Sequence, residues 1–260
     1  MQLGALEVAG IHDVDGYWPA DKGFVPPRGW EPHRQFLNAD GNLPLSFGAF
    51  LVRHGGRLAL IDAGAGPDHS SLPAGHLLES LAAVDVSPGA ITDVIFSHLH
   101  SDHIGWAALD GEAVFAHATY RCHRDDWDYF IGRDRRVSDK LAPIADRFEM
   151  WSGTETLFPG LDLLPAPGHT PGSTVIVLSS GPHRALLLGD VVHCPGELLE
   201  EEWQVLGDVD PALATQTRDR LAREIEGSDA LVAAAHFPGL AFGRVLAAHG
   251  QRSWSIQRSA

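Results

Sequence analysis

The sequence has little cysteine, few basic residues and no long apolar run. Cys122 and Cys194 are its only cysteines. Two cysteines make no disulfide framework, so we expect the reducing cytoplasm as the location. No apolar run approaches the ~18 residues of a membrane-spanning helix. Residues 1–7 also lack the basic and apolar segments of a secretory signal, so we expect no membrane partner.

Basic residues are outnumbered, because 19 Lys and Arg stand against 34 Asp and Glu, for a formal net charge of -15 at pH 7. Binding to nucleic-acid phosphates requires a basic surface, so this charge argues against nucleic acid as a partner. A hydrophobic content of 44% and a charged content of 20% are typical of a globular protein. Since single cores stop growing at about this length, we expect one domain over residues 1–260.

The first 48 residues contain proline and glycine interruptions at Trp18-Pro19, Pro26-Pro27 and Gly29-Trp30. These interruptions predict an irregular segment, 1–48, that forms an N-terminal arm or lid. The aromatic stretch over 17–30 could close over a site, form the arm of a homodimer, or simply cover an exposed edge of the core.

Apolar and β-branched runs alternate with helical patterns along the rest of the chain. The runs predict strands over 50–53, 57–61, 94–96, 113–116, 161–164, 173–178, 185–188, 231–234 and 244–247. Helical spacing predicts helices over 77–84, 121–131, 138–150 and 211–226. In the last of these, Asp210 is the expected N-cap and Pro211 the first helical residue. Strands and helices alternate in both halves, which favours sheets covered by helices.

The strongest functional signal is the run Ser97-His98-Leu99-His100-Ser101-Asp102-His103, which directly follows the apolar segment Val94-Ile95-Phe96. Three imidazoles and a carboxylate stand in this short run, and these are ligands that Zn²⁺ and similar divalent ions prefer. Side chains two positions apart on an extended segment point to the same side, so His98 and His100 can reach one ion. The alternative is a polar loop in which the histidines are incidental.

Three further segments place a histidine or a carboxylate where a strand-like run ends and glycine or proline follows. They are Gly168-His169-Thr170-Pro171-Gly172, Leu186-Leu187-Leu188-Gly189-Asp190 and Ala233-Ala234-Ala235-His236-Phe237-Pro238-Gly239. Loops at strand ends are where a rigid scaffold presents reactive groups. Their recurrence in one chain indicates a metal site.

Together these side chains resemble the dinuclear ligand set of the metallo-β-lactamase fold hydrolases. The set consists of His98, His100, Asp102, His103, His169, Asp190 and His236. Leu60-Ile61-Asp62-Ala63-Gly64 is similar to that superfamily's earlier strand end with an aspartate. The resemblance covers about 50–244 and implies an α/β fold, the αββα sandwich. In this fold two mixed β-sheets pack face to face, with helices on their outer faces.

Within that superfamily, 189–193, 208–211 and 235–238 are most similar to the branch that holds acyl-homoserine lactonases and methyl parathion hydrolase. The chain departs from the lactonases at His193, where those enzymes carry a tyrosine three residues after the bridging aspartate.

The resemblance implies two divalent metal ions that share Asp190 as a bridging ligand. The first ion is held by His98, His100 and His169, and the second by Asp102, His103 and His236. The expected metal is zinc, with iron, manganese or cobalt as alternatives.

Two residues are candidates for catalytic roles. Asp102, with a free oxygen beside the expected nucleophile, could shuttle a proton, and His193 could donate a hydrogen bond to a developing oxyanion. His193 could equally be a supporting or surface histidine. We expect Asp62 to orient a ligating histidine without binding metal itself.

We therefore expect a dinuclear metal-dependent hydrolase acting on a small-molecule substrate. A hydroxide shared by the two ions would cleave a lactone or a carboxylic ester. The alternatives are a phosphotriester hydrolase of the methyl parathion hydrolase kind, a thioester hydrolase of the glyoxalase II kind, and a metal-binding module without turnover.

Other conspicuous residues carry weaker signals. Cys194 could line the pocket or be a small, half-buried residue, and Trp203 could pack in a dimer interface or line the mouth of the site. Asp208 could organise its loop or contact substrate, and 200–202 is expected to be a solvated acidic face. The remaining histidines are expected at the surface or beside helices, and they are His12, His33, His54, His69, His76, His117, His123, His183 and His249.

Overall fold

The computed structural model describes residues 1–257, and two seven-stranded sheets form its centre. Within these residues the strands are β1 Gln2–Leu3, β2 Leu6–Pro19, β3 Phe24–Val25, β4 Asn42–His54, β5 Arg57–Ile61, β6 Asp93–Ile95, β7 Ala108–Leu109, β8 Glu112–Ala113, β9 Thr119–His123, β10 Phe148–Trp151, β11 Glu155–Phe158, β12 Leu161–Pro165, β13 Thr174–Ser180, β14 His183–Leu187, β15 Gln204–Val205, β16 Leu231–Ala233, β17 Gly243–Ala248 and β18 Gln251–Ile256. The α-helices are α1 Ala20–Gly23, α2 Leu77–Ala82, α3 Arg124–Phe130, α4 Arg135–Leu141 and α5 Pro211–Ile225. Short 3₁₀ helices lie at Glu31–Phe36, Pro88–Ala90, Ala142–Arg147, Gly189–Val191, Pro195–Leu198 and Pro238–Leu240.

Both large sheets are mixed. The first has the order β1-β2-β4-β5-β6-β9-β10, and its β5–β6, β6–β9 and β9–β10 pairs are parallel. The second has the order β11-β12-β13-β14-β16-β17-β18, and its β14–β16 pair is parallel. The other pairs in these two sheets are antiparallel. Two small sheets, β3 with β15 and β7 with β8, lie outside this pair.

The inner faces of the two sheets pack against each other, because successive residues of a strand point to opposite sides. Phe50, Ile61 and Ile95 of the first sheet share one buried cluster with Ile176 and Leu187 of the second. Burial of both sets of apolar side chains in one layer is what holds the sheets face to face.

The neighbouring residues on these strands point outward and bury the helices. Leu51 and Leu60 of the first sheet share a cluster with Leu81 of α2 and Leu141 of α4. In the second sheet, the outward-facing residues pack against α5 in a cluster that contains Val175, Leu186, Val232, Leu221 and Ile225. The layers are therefore helix, sheet, sheet and helix, and the predicted αββα sandwich with two mixed sheets is confirmed.

The N-terminal segment is not irregular, and that prediction is wrong. Strands β2 and β4 form a long antiparallel pair in the first sheet, from Glu7 opposite Arg53 to Pro19 opposite Asn42. A register shift between His12 and Val14 moves the inward face of β2 by one residue, which breaks the alternation that strand prediction uses. The role of 1–48 as an arm or lid, the single domain and the homodimer stay predictions.

Gly48 shows why glycine stands inside one of these strands. A Cβ at this position would lie 2.2 Å from the carbonyl oxygen of Ile11 on the neighbouring strand. The close approach of the two backbones therefore requires a residue without a side chain.

Two of the predicted helices are shorter than expected. Within 121–131, the residues up to His123 belong to β9, where Tyr120 and Cys122 alternate toward the core. The ring nitrogen Nδ1 of His123 then caps α3 by accepting the N–H of Asp125 at 3.2 Å.

The helix predicted over 138–150 ends at Leu141 as an α-helix. Pro143 has no N–H to donate, and the chain continues through a 3₁₀ helix to Arg147 before β10 begins. The strand predicted over 113–116 is also wrong, because only its first residue belongs to the short strand β8. No helix within residues 1–257 has the length and apolar composition that crossing a membrane requires.

A buried carboxylate on β2 organises the loops beside the sheet. The two oxygens of Asp13 accept the backbone N–H groups of Ala65, Gly66 and Leu77 and the indole N–H of Trp106, at 2.8–3.1 Å. Asp13 therefore fixes the loop after β5, the start of α2 and the residues that follow the histidine-rich run.

We expect Asp13→Ala to lower the free energy of unfolding by about 3–5 kcal/mol, because buried donors lose their acceptor. Glu7→Ala, which removes an exposed carboxylate from the same strand, is the matched control and should change it by less than about 0.5 kcal/mol. Urea unfolding measures both values, and equal losses in the two variants would contradict the role given to Asp13.

Candidate metal centre

The structure brings all seven predicted ligands together beyond the ends of four strands. The histidine-rich run follows β6, His169 lies between β12 and β13, Asp190 follows β14 and His236 follows β16. Backbone hydrogen bonds hold the loops against one another, as between Thr174 N and Ser97 O at 2.9 Å. The fold thus gathers residues that are far apart in the sequence.

The side chains form two groups that share one carboxylate. In each group, one nitrogen or oxygen atom per residue lies within 4.8 Å of the corresponding atoms of the others. The first group is His98, His100, His169 and Asp190, and the second is Asp102, His103, Asp190 and His236. This is the division that the resemblance implies, and metal binding by these residues stays a prediction that the distances support.

Ring nitrogens of the first group lie close to one another. The Nδ1 atom of His100 lies 3.0 Å from Nε2 of His98 and 3.0 Å from Nε2 of His169. In the second group, Nε2 of His103 and Oδ1 of Asp190 are buried 3.2 Å apart, and neither makes a hydrogen bond to the other or to any other group within residues 1–257. Buried nitrogen and oxygen atoms without a hydrogen-bond partner are suited to be the ligands of a cation.

Burial lowers the pKa of all three histidines in the first group. The pKa of His100 falls to about 4, and those of His98 and His169 are also lowered. Neutral imidazole is the form that binds metal, so the environment favours the ligating state.

The two carboxylates of the site also have lowered pKa values, but here nearby histidines and not burial are the cause. Burial raises the pKa of Asp190, but the neighbouring His103 and His236 outweigh it and hold the pKa well below the usual value. The same histidines lower the pKa of Asp102 against the effect of burial. Both groups are therefore ionised and able to bind cations near neutral pH.

The outward-facing nitrogens of the histidines contact oxygen atoms that fix the rings. Asp62 lies 3.0 Å from Nδ1 of His103 through Oδ2, and it accepts the N–H and the hydroxyl of Ser97 at 2.7 and 2.8 Å. It stands outside both candidate metal groups, as predicted. Its φ of +63° is unfavourable for a residue with a side chain, so these hydrogen bonds must hold it in place.

Asp208 contacts a histidine of the site and is itself buried. Its Oδ1 lies 2.9 Å from Nδ1 of His169, and its Oδ2 accepts a hydrogen bond from Arg218 at 3.2 Å. Of the two roles considered for Asp208, these contacts support the organisation of the loop.

Asp126, a buried carboxylate at the start of α3, was not among the residues predicted from the sequence. Its Oδ2 accepts the N–H of Leu99, between His98 and His100, and its Oδ1 accepts the N–H of Gly172, close to His169, at 3.0 and 2.6 Å. Asp126 thus ties two ligand-bearing loops together. Since acidic residues are common in the first turn of a helix, the sequence gives no signal that separates it from Asp125.

Arg218 and Glu197, which are buried beside the site, were not predicted from the sequence either. Arg218 could have been found, because it lies at helical spacing from Ala214, Leu221 and Ile225 on the buried face of α5. A charged residue on an apolar stripe indicates a buried ion pair. Glu197 lies in a short 3₁₀ helix and gives no such signal.

His193 lies inside the site and not at the surface. Its Nε2 is 3.5 Å from Oδ2 of Asp190, and its ring centroid is 5.2 Å from that of His169. Its placement leaves open both a contact with substrate and a supporting role.

Several residues with weaker signals are more buried than expected. Trp203 is fully buried, so the predictions of an interface or a pocket mouth are wrong. His33 is also buried, with its ring 4.9 Å from Trp203 and its Nε2 2.8 Å from Glu200, so 200–202 is not a purely solvated face. Cys194 is buried and not half-buried.

The family profile described as the Metallo-beta-lactamase superfamily matches residues 49–236. The chain belongs to the metallo-beta-lactamase superfamily. The predicted resemblance is confirmed, and the match spans well over half of the chain, including every predicted metal ligand.

Relatives within the superfamily include lactonases. The chain is 24% identical over 160 residues to the N-acyl homoserine lactonase AiiA of Bacillus thuringiensis subsp. kurstaki, covering 62% of this chain and 61% of that protein. It is 32% identical over 192 residues to Metallo-beta-lactamase domain-containing protein 1 of Xenopus laevis, covering 70% and 66%. The match thus spans about three-fifths to two-thirds of these relatives.

Solved structures show the same fold over the whole chain. AidC, a dizinc quorum-quenching lactonase, superposes with a TM-score of 0.86 at 24% identity, covering 100% of this chain and 97% of that one. The hydrolase AbOPH of the beta lactamase superfamily gives 0.87 at 22% identity with the same coverage.

We expect the zinc-reconstituted protein to hold about two ions per chain. His169→Ala removes a ligand from one group and should lower the content by about one ion. Asp190→Ala removes the shared ligand and should lower it by about two. Mass spectrometry of desalted protein measures the content, and His183→Ala, an exposed position on β14, is the matched control. An unchanged content in Asp190→Ala would contradict the assignment.

We expect Asp126 to make the free energy of unfolding depend on pH. Burial raises the pKa of Asp126 to about 6, above the value of about 3.9 in an unfolded chain. The favourable contribution of the protonated group is fully present below the unfolded value and is lost as the pH rises through about 6. Lowering the pH from about 7.5 to about 5 should therefore stabilise the wild type relative to Asp126→Asn.

Urea unfolding of metal-free protein at the two pH values measures this difference in the free energy of unfolding. Asp125→Asn removes the exposed neighbour on α3 and is the control, for which the difference should stay nearly constant. A difference that is also constant for Asp126→Asn would show that Asp126 does not take up a proton in the folded state.

Proposed function

We propose that this protein is a dinuclear metal-dependent hydrolase that opens a lactone or cleaves a carboxylic ester of a small-molecule substrate. The observation that carries the proposal is the pair of ligand groups that share Asp190. Three histidines would hold one ion with this carboxylate, and Asp102, His103 and His236 would hold the other with it. Zinc is the metal we propose, with iron, manganese and cobalt as alternatives.

The donor set fits two divalent cations, because it combines imidazoles, three of which have a lowered pKa that favours the neutral form, with two ionised carboxylates in a buried site. Divalent ions held there lower the pKa of water toward neutrality and polarise the oxygen of a substrate carbonyl group. The protein supplies the fixed positions of the ligands, and the orientation of each ring is set by contacts such as that of Asp62 with His103.

Asp102 is the residue best placed to accept and return a proton. It is more exposed than Asp190, the other carboxylate of the site. Its Oδ2 lies 3.4 Å from Nε2 of His236 and 3.8 Å from Nε2 of His103. A carboxylate with one oxygen directed to an ion keeps a second oxygen for proton transfer. We assign this role to Asp102.

His193 is the second candidate for a catalytic role. Its Nε2 faces the shared carboxylate at 3.5 Å, so a substrate oxygen bound at the site would come within its reach. From this nitrogen His193 would donate a hydrogen bond to the oxygen on which negative charge develops.

Aromatic rings surround the imidazoles and favour an apolar substrate. Phe47 lies 4.6 Å from His236, and Phe24 lies 5.5 Å from His193, measured between ring centroids. Apolar surface near a metal site is suited to an acyl or aryl group.

The lactonase relatives support a lactone as the substrate, although AiiA is only 24% identical to this chain over the 160 aligned residues. The carboxylates of a glutathione thioester would need a positively charged side chain that is free to bind them. Arg218, the buried arginine beside the site, is already engaged by Glu197 and Asp208. A phosphotriester remains the main alternative, because the same donor set can polarise a phosphoryl oxygen.

A substrate panel tests the proposal. Protein reconstituted with zinc, manganese, cobalt or iron is assayed with an N-acyl homoserine lactone, an arylester, a phosphotriester and a thioester. We expect the highest kcat/KM for the lactone or the ester, and Asp190→Ala under the same conditions measures the background. A phosphotriester hydrolysed faster than every lactone and ester would overturn the substrate assignment, and full metal binding without turnover would favour a binding module.

A further inference from the structure

We infer that Glu197 and Arg218 form a buried pair that positions His193 for the reaction. Neither residue lies in the candidate metal groups, so both would act through another side chain. The inference rests on the proposed function, because it gives His193 a place in that reaction.

Glu197 fixes the backbone at His193. One of its oxygens, Oε1, accepts the N–H of His193 at 2.7 Å and the N–H of Cys194 at 2.8 Å. Glu197 is fully buried, so water does not compete for these hydrogen bonds. The loop that carries His193 away from Asp190 is therefore held by one carboxylate oxygen.

The other oxygen of Glu197 faces the ring of His193. Oε2 lies 3.7 Å from Nδ1 of that ring and 2.9 Å from Nε of Arg218. The Nδ1 atom is buried and has no hydrogen-bond partner within residues 1–257. The carboxylate on this side of the ring fixes its orientation, so that Nε2 faces Asp190 and the substrate position.

Arg218 holds the carboxylate in this orientation from α5. Its Nε donates to the carbonyl oxygen of Val191 at 2.9 Å, and its Nη1 donates to that of Trp203 at 3.0 Å. Its Nη2 donates to Asp208, the residue that contacts His169. One guanidinium thus links the loop of His193 to the loop of His169.

Stability alone is a weak reason for such an arrangement. Burying a guanidinium and two carboxylates carries a large desolvation cost, and apolar residues of similar volume are often at least as stabilising. What the pair does provide is a single orientation for the ring of His193, which the reaction requires.

The ring of His193 can be examined directly by ¹⁵N NMR of the zinc-loaded protein labelled at histidine, with His193→Gln to assign the signals. In Glu197→Gln the Nδ1 signal should shift, while Glu224→Gln, an exposed carboxylate on α5, should leave it unchanged. An Nδ1 signal that stays unchanged in folded Glu197→Gln or, should that variant not fold, in Glu197→Asp overturns the inference, and this readout needs no turnover of substrate.

Kinetics test whether the pair acts through His193. Glu197→Gln should lower kcat about 10- to 100-fold, because the ring of His193 loses its orientation. KM should change little, because the residues that bind the substrate are unaffected. Added to His193→Ala, the same substitution should cause almost no further loss. An equal loss in kcat with and without His193 would show that Glu197 supports the fold or the metals instead, and would overturn the inference.

Discussion

The buried carboxylate of Asp190 is the constraint around which the site is built. Its oxygens lie 3.1–3.7 Å from ring nitrogens of five histidines, namely His98, His103, His169, His193 and His236. If several imidazoles this close together were protonated, their positive charges would repel one another. If all the rings were neutral, the negative charge of the buried carboxylate would lack a positive partner. The two divalent ions that we propose, with the carboxylate shared between them, would satisfy both sets of groups. The sandwich supplies the geometry, because strands of two sheets end where these side chains meet.

Carboxylates outside the ligand set then hold the ligands in place. Asp62 and Asp208 each contact the outward nitrogen of a histidine, and Asp126 joins the backbones of two ligand-bearing loops. Arg218 connects Asp208 to Glu197. These contacts come from β-strand ends and from the first turns or buried faces of helices, so the rigidity of the scaffold is passed to the site. Several carboxylates of this acidic chain are therefore buried, where they contact histidines, arginine and backbone N–H groups.

The sequence could predict the layers of the fold and the grouping of the ligands, because both leave local patterns. The histidine-rich run and the strand ends before Asp190 and His236 are visible without coordinates. The bulge in β2 is not, because one extra residue reverses which side faces the core. Asp126 and Glu197 were missed for a related reason. The partners of Asp126 are backbone N–H groups of distant loops, and those of Glu197 are N–H groups of its own loop and the buried Arg218. Such contacts impose no pattern on neighbouring residues.

Anomalous X-ray diffraction from crystals of zinc-reconstituted protein tests the central claim most directly. The account predicts two zinc peaks about 3.5–4 Å apart. One should lie among His98, His100 and His169, the other beside His103, with Asp190 between them. A single peak, or ions bound away from Asp190 when zinc is supplied in excess, would contradict the shared-carboxylate centre and the hydrolytic function built on it.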